Sequence, residues 1–326
     1  AKYNAYSGLS ALYNRACAHG KILCSNTLLT PHRHHQFAVL SLVACCFLWS
    51  MSGIVSRQIE SASGFETAFW RSLATTLAVA VWLALTEKQG WLKSLLSSGW
   101  PGLVSSLMWA VMFTCFMIAL SMTTVAKAMV TLAIAPLLTA VLSRWFIKTA
   151  IATHTWWAIT VAGVGIVWMV SDGLAGDSNY PLSALGMLVA ACVPLAAAIN
   201  LIVMKRTQGS LDLVPAILGG AAISTLVCLP LSLPLTGTVN DISWLAFLGI
   251  FQIALPCVMF VIAAKYLATH ETALITLLEV IFTPLWVWIG VGERPADATL
   301  WGGTLVLMAL IVNELCSSRM MRRQLR

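Results

Sequence analysis

Long apolar segments recur along this chain of 326 residues, and they constrain its fold more than any other feature. A helix needs about 20 mostly apolar residues to cross the hydrocarbon core of a bilayer. Stretches of that kind lie near 37–56, 66–85, 102–121, 124–143, 155–171, 181–203, 213–233, 243–263, 271–290 and 299–315. The segments between them are mostly short. The pattern predicts an all-α integral membrane protein with ten transmembrane helices.

The composition supports this class and argues against others. Hydrophobic residues make up 59% of the chain and charged residues only 10%, which is far too apolar for a soluble domain of this size. Residues 250–264 are apolar apart from Gln252 and Pro256, whereas the strands of a membrane β-barrel alternate apolar with polar side chains. The net charge of +7 could suggest a nucleic acid partner. The positions of the basic residues argue against that.

If the amino terminus is cytoplasmic, fifteen of the 19 basic residues fall in cytoplasmic loops and tails, and only Arg57 and Arg294 fall on the opposite face. Cytoplasmic loops of membrane proteins carry an excess of Lys and Arg. The asymmetry therefore predicts that both termini are cytoplasmic, which requires an even number of spans. The basic end of the chain is expected to contact anionic membrane lipid, and no nucleic acid partner is expected.

The chain also repeats itself. Two copies of an odd number of spans lie upside down relative to each other in a bilayer, and many secondary transporters build a midplane site between such copies. A shift of 148 residues aligns four pairs, Arg57 with Lys205, Thr124 with Thr272, Thr131 with Glu279 and Pro136 with Pro284. Five spans lie on each side of the centre. The alignment predicts two inverted five-helix repeats.

The repeats predict the organisation of the chain. The first repeat covers 36–171, a linker covers 172–180, and the second repeat covers 181–316. Residues 1–35 mix polar, aromatic and basic side chains, which is typical of a flexible cytoplasmic tail. The alternative for this stretch is an upstream start that the working protein does not need. Residues 317–326 form a basic cytoplasmic tail.

Glu279 is the leading candidate for a functional residue. It follows about ten residues after a helix start near 269, so it lies roughly 15 Å deep at about 1.5 Å per residue. An ionisable group at that depth faces a polar cavity or a partner in most membrane proteins. The alternative is a structural carboxylic acid that is neutral or hydrogen-bonded between helices.

Polar residues extend from Glu279 along one helix face, and span four has a comparable stripe. The threonines could instead donate to carbonyls of their own helix or to a neighbouring helix. Lys127 and Arg71 could also extend to the outer surface. The two stripes comprise Thr272, Thr276, Glu279 and Thr283 on span nine, and Thr124, Lys127, Thr131 and Thr139 on span four.

Several residues on other spans could complete a cavity that is partly aromatic and partly polar. Trp49, Gln252 and Asn200 are the candidates with the most suitable side chains. Pro136 and Pro284 occupy equivalent positions in the two repeats, where a proline removes a backbone hydrogen bond and permits a bend. They are predicted hinges or gates, although static kinks are an equally good interpretation.

One stretch carries a family resemblance. Residues 277–295, followed by Trp301-Gly-Gly303, resemble the junction of the last two helices in the EamA family of the drug/metabolite transporter superfamily. Gly292-Glu293 is the most specific element of this resemblance. The first half has weaker matching pieces, Leu48-Trp49-Ser50, Phe69-Trp70-Arg71 and Pro136, and reads Arg144-Trp145 where Gly-Glu would stand. The resemblance covers roughly residues 37–316.

The resemblance implies a function. Members of the EamA family are typically ten-helix carriers of small organic solutes, frequently exporters of amino acids or other metabolites, with a cavity between the repeats. It therefore implies a secondary transporter that exports an amino acid-like or amphipathic metabolite by alternating access. It also implies a location in the plasma membrane, the inner membrane of a bacterium.

An intramembrane enzyme acting on a lipid-like substrate is the alternative from another class. Such an enzyme needs clustered catalytic groups, but the six histidines fall in the amino-terminal tail, a loop and a helix end. We therefore expect no enzymatic activity, no metal and no cofactor. Because the chain has no nucleotide-binding Gly-x-x-x-x-Gly-Lys-Ser/Thr loop, coupling to a proton exchanged at Glu279 is the favoured hypothesis.

Overall fold

The computed structural model describes residues 31–86, 98–146, 153–174, 181–207, 213–263, 266–267 and 269–324. Most of the predicted tail 1–35 and of the predicted linker 172–180 lies outside these residues. The described residues form helices and connecting turns, with no strand among them. By internal contacts the chain divides into two units, of which Ala38–Arg326 is the larger. The account below concerns the larger unit.

Twelve helices and one π-helical segment are found in the described residues. The helices are α1 Pro31–Ser56, α2 Gly64–Thr86, α3 Gly99–Met122, α4 Val125–Leu132, α5 Ala135–Phe146, α6 Thr153–Leu174, α7 Ser183–Thr207, α8 Val214–Leu231, α9 Val239–Phe247, α10 Leu255–Ala263, α11 Thr269–Val291 and α12 Asp297–Gln324. The π-helical segment Leu248–Ala254 joins α9 to α10. The ends of α1 and α12 extend past the apolar segments, since a helix can continue into the polar interface beyond the hydrocarbon core.

Eight stretches of helix within the described residues are long and apolar enough to cross a membrane. They are His35–Ser56, Gly64–Thr86, Gly99–Met122, Val125–Phe146, Thr153–Ser171, Ser183–Met204, Val214–Leu231 and Val239–Ala263. Two shorter apolar stretches, Ile275–Val291 and Asp297–Asn313, lie within α11 and α12 and overlap the last two predicted spans. The protein is therefore an all-helical integral membrane protein in its described part.

Two of the long spans are interrupted, and a proline follows each interruption. Span Val125–Phe146 breaks at Ala133 and Ile134, just before Pro136 in the first turn of α5, where a proline is tolerated because its missing N–H has no partner there. The predicted counterpart Pro284 lies inside the continuous helix α11. The two aligned prolines therefore have different local consequences, and their role as hinges stays a prediction.

The second interruption is the π-helical segment. Pro256 cannot donate to the carbonyl four residues before it, and the preceding Leu255 N–H donates to Ile250 five residues back. Segments of this kind inside helices are frequent at functional sites. This one widens the helix at Gln252, whose side chain is buried.

Glycines allow close contacts that hold the helices of the bundle together. An added Cβ at Gly53 of α1 would lie 2.7 Å from Val287 of α11 and 2.9 Å from Val125 of α4. An added Cβ at Gly165 of α6 would lie 2.6 Å from the Gly302 carbonyl of α12. Helices of membrane proteins commonly approach one another at such small residues. Three helices therefore converge at Gly53, and α6 packs against α12 at Gly165.

Candidate functional site

A buried arginine lies inside the bundle. Arg71 of α2 is only 1% exposed, and its Nη2 donates to the Phe113 carbonyl of α3 at 2.6 Å. Nη1 donates to Gln252 Oε1 at the longer distance of 3.4 Å, and the guanidinium lies 5.5 Å from the centroid of the Phe116 ring. Its Nε has no hydrogen-bond partner among the described residues. The guanidinium is thus held by one amide and one carbonyl.

Gln252 connects this arginine to α1. Its Oε1 accepts from Arg71, and its Nε2 lies 3.5 Å from the Trp49 carbonyl, at the limit of a hydrogen bond. The indole of Trp49 packs against Phe260 of α10 at a centroid distance of 5.5 Å. The π-helical segment also approaches α2 closely, since an added Cβ at Gly249 would lie 2.5 Å from the Arg71 carbonyl. Gln252 and Trp49, both predicted from the sequence, are therefore brought together.

Glu279 of α11 is embedded deeply among protein atoms, and yet its side chain is only partly buried. In the described part of the chain its carboxyl group has neither a hydrogen bond nor an ion pair, and Thr283 donates at 2.8 Å to the Glu279 backbone carbonyl instead. The Cys46 thiol of α1, which donates to the Ile275 carbonyl, lies near enough to interact electrostatically with the carboxylate.

Arg71 and Glu279 both lie near one cysteine. Cys257 of α10 is within electrostatic reach of the guanidinium and of the carboxyl group. Counted along α2 and α11 at about 1.5 Å per residue, Arg71 lies roughly 11 Å and Glu279 roughly 18 Å from the helix ends Gly64 and Val291. A guanidinium and a carboxyl group therefore lie near the same cysteine at different depths along the bundle.

The other residues of the predicted stripes lie at helix contacts. Lys127 is 1% exposed, so it does not extend to the surface, the alternative that its position near a helix end had suggested. Thr131 is buried and donates to the Lys127 carbonyl at 2.8 Å. Thr283 is fully buried, with its methyl group facing Gly53 of α1. Thr276 is partly buried on α11.

Asn200 lies at a contact between two other helices. It is buried on α7, and its Oδ1 accepts from Ser105 Oγ of α3 at 2.7 Å. Helix α7 packs along α3. Asn200 therefore ties these helices together, and a contact with a solute stays a prediction for this residue.

An ion pair closes the end of the bundle at which α1 ends. Arg57 Nε donates to Glu293 Oε2 at 2.7 Å, and the side chains are 15% and 19% exposed. Arg57 also donates to the carbonyls of Leu120 at 2.8 Å and Thr123 at 3.2 Å. Glu293 Oε1 accepts from the Val125 N–H at the start of α4 at 3.0 Å, where the helix dipole favours a negative charge. Four helix ends are thereby joined.

A second group of contacts joins the same end of the bundle. Glu66 at the start of α2 is fully buried, and it accepts from the backbone of Thr236 at 3.0 Å and of Gly237 at 2.9 Å. Asp241 caps α9 through Thr238 and also accepts from the Glu60 N–H at 3.2 Å. The connection between α1 and α2 is therefore fastened to the connection between α8 and α9. Below, we call these contacts and the Arg57–Glu293 pair the loop-end clamp.

In the sequence, only the Gly292-Glu293 pair of the family resemblance points to the clamp. The partner of Glu293 lies 236 residues away, so the sequence does not identify it. The backbone at Gly292 has a φ of +76°, which favours glycine. The sequence places Arg71 near the end of an apolar segment, from which it could extend to the outer surface. Its burial and incomplete pairing, which mark it as part of the site, are visible only in three dimensions.

No group of three or more His, Cys, Asp or Glu residues that could hold a metal ion is found among the described residues. The free cysteines near the site, Cys45, Cys46 and Cys257, are buried. The chemistry available there is that of one carboxyl group, one guanidinium, an amide and aromatic rings. Such a set can bind and release a charged solute.

Comparisons with known proteins agree with this picture. The model of the EamA-like transporter family matches residues 36–171 and 184–314. The chain is 25% identical over 282 residues to the pseudopaline exporter CntI from two strains of Pseudomonas aeruginosa, covering 84% of this chain and 94% of that protein. A crystal structure superimposes with a TM-score of 0.60 at 18% identity, covering 87% of this chain and 99% of that one. At that identity the structural likeness concerns the fold alone.

Proposed function

The chain belongs to the EamA-like transporter family, and from that premise we propose that it exports a small organic metabolite across the cytoplasmic membrane by alternating access. The match of the family model confirms the family expected from the sequence. Membership in this family means that the protein is a membrane transporter of small metabolites. The Pseudomonas aeruginosa relative is named as an exporter, which supports the outward direction. The solute we propose is amino acid-like or amphipathic, and the membrane is the inner membrane of a bacterium with both chain termini in the cytoplasm.

We further propose ten transmembrane helices in two inverted five-helix repeats, 36–171 and 181–316. Packing between the helices supports this arrangement. A two-fold axis between the copies pairs each contact with an equivalent one. The second span of the first copy, α2, contacts the π-helical segment in the third span of the second copy. The equivalent contact, between the third span of the first copy, α3, and the second span of the second copy, α8, is also present. The fifth spans of the two copies, α6 and α12, likewise pack together. The match of the family model in two segments is further support.

The observation that carries the proposal is the environment of Glu279. A carboxyl group deep in a membrane protein is costly unless it is paired or has a function, and this one has no hydrogen bond or ion pair within the described residues. It lies on α11 and faces Cys46 of the first half and Cys257 of the second. We propose that it binds a cationic group of the solute or exchanges the coupling proton during the transport cycle.

The loop-end clamp supports alternating access. Arg57 and Glu293, and likewise Glu66 and Thr236, belong to different halves of the chain. In the proposed orientation this end faces away from the cytoplasm. The structure then corresponds to a state closed on that side, and export requires the clamp to open while the cytoplasmic end closes. Packed interfaces with two discrete arrangements are the usual basis of such transitions.

Flux through the purified full-length protein tests the proposal. Untargeted comparison of metabolites retained by cells with and without the protein identifies the solute, and proteoliposomes with an imposed proton gradient then measure its flux. We expect Glu279→Gln to abolish proton-coupled flux, and Glu60→Gln, which removes an exposed carboxylate at the loop end, to retain it. Undiminished proton-coupled flux in Glu279→Gln would rule out the proposed role.

A further inference from the structure

Arg71 is a buried cation with no anionic partner among the described residues. Arginine has five N–H donors, and the described residues accept only two hydrogen bonds from this side chain, at Phe113 and Gln252. The acidic side chains at the loop end bind other groups, since Glu66 binds Thr236 and Glu293 binds Arg57. Burying a charge without a partner is unfavourable, because the charge loses its hydration. A chain that retains such a group in a membrane span has a use for it.

The neighbours of Arg71 fix the orientation of the guanidinium. The Phe113 carbonyl holds one end at 2.6 Å, the Gln252 amide holds the other at 3.4 Å, and the Phe116 ring lies at 5.5 Å. None of these neighbours neutralises the charge. The unpaired Nε lies along the edge of the guanidinium with which arginine binds a carboxylate through two parallel hydrogen bonds.

The position of Gln252 links this group to the movement of the protein. Arg71 belongs to the first half of the chain, whereas Gln252 belongs to the π-helical segment of the second half. Any rearrangement of the halves changes the distance between Arg71 and Gln252. At 3.4 Å this distance is already at the long end of the hydrogen-bonding range. In this closed state Nε is inaccessible, so an anion reaches it only after Gln252 and α2 separate.

From these contacts we propose that Arg71 is the carboxylate-binding group of the transport site. When no solute is bound, Gln252 accepts the hydrogen bond that Arg71 otherwise donates to the solute carboxylate. The inference rests on the transport function proposed above and adds the chemical class of one part of the solute. The solute carries a carboxylate, which binds Arg71. Glu279, about 7 Å deeper along the bundle axis at the helical rise, faces another part of the same solute or the coupling proton.

The test compares an acid with its amide. After the exported metabolite is identified, it and its carboxamide derivative compete for flux in proteoliposomes of the wild type, Arg71→Gln and Arg71→Lys. We expect the wild type to prefer the acid by about 10- to 100-fold, the range for hydrogen bonds to a charged group. The preference should fall to about one in Arg71→Gln and be intermediate in Arg71→Lys, since lysine keeps the charge but not the planar fork. Arg206→Gln, which removes an exposed arginine, should keep the full preference.

A second variant guards against misfolding of Arg71→Gln. In Gln252→Glu the new carboxylate lies beside Arg71 and competes with the solute, so we expect weaker competition by the acid and unchanged competition by the amide. An exported metabolite without a carboxylate, or an acid preference that survives in Arg71→Gln and in Gln252→Glu, would overturn the inference while leaving the transport function intact. If no metabolite depends on the wild-type protein, the transport function itself fails.

Discussion

The Arg57–Glu293 pair gives the sharpest prediction about the loop-end clamp. Replacing Glu293 with Gln keeps the shape of the side chain and removes its charge. The carboxylate accepts from Arg57 at 2.7 Å and from the Val125 N–H at 3.0 Å. Hydrogen bonds to charged groups contribute about 1.5–3 kcal/mol each, and water reaches these side chains, which are 15% and 19% exposed. A total loss of about 2 kcal/mol is therefore expected, partly because the amide still accepts a weaker hydrogen bond.

A loss of that size changes the opening equilibrium by a measurable factor. Since 1.4 kcal/mol corresponds to tenfold, the clamp should open roughly 30-fold more often in Glu293→Gln. Hydrogen–deuterium exchange of the purified protein reports this opening at the Val125 amide, whose N–H donates to Glu293. Exchange near Val125 should accelerate by that factor, while the amides in the middle of α8 keep their wild-type rates.

A double-mutant cycle separates the pair from the other contacts. Arg57→Gln should accelerate exchange at least as much as Glu293→Gln, because Arg57 also donates to the carbonyls of Leu120 and Thr123. The double variant should accelerate exchange by less than the product of the two single effects, since the Arg57–Glu293 interaction can be lost only once. Effects that simply add in the double variant, or unchanged exchange near Val125 in Glu293→Gln, would refute the reasoning.

Three further substitutions test the packing and the stripes. Gly53→Ala should lower the midpoint of thermal unfolding, with a cost of about 1–3 kcal/mol for overpacking, whereas Gly163→Ala meets nothing within 4 Å and should leave it unchanged; equal midpoints would contradict the close contact. Glu66→Ala orphans backbone donors at about 1–3 kcal/mol each and should lower the same midpoint, unlike Glu60→Ala at an exposed position. Thr131→Val should change flux by less than about twofold, because the hydroxyl group bonds within its own helix; a large loss of flux would place this hydroxyl at the solute.

The sequence determined the class of the protein, its apolar segments and its family. These properties are local, because a run of apolar side chains specifies a membrane helix whichever helices it meets. The depth of Glu279 also followed from the sequence, since α11 begins at Thr269, near the expected start. The interruption next to Pro136 is local for the same reason, since proline restricts the backbone of its own segment.

Only the tertiary structure decided which polar groups meet. Arg57 and Arg71 both stand near the ends of apolar segments, and nothing in their neighbours distinguishes them. Helix packing gives Arg57 a carboxylate 236 residues away. It gives Arg71 the Phe113 carbonyl and an amide 181 residues away, and no carboxylate among the described residues. The partner of a charged side chain depends on contacts between helices distant in sequence, and these contacts are set by close approaches such as that at Gly53. The pattern of apolar residues carries no record of them.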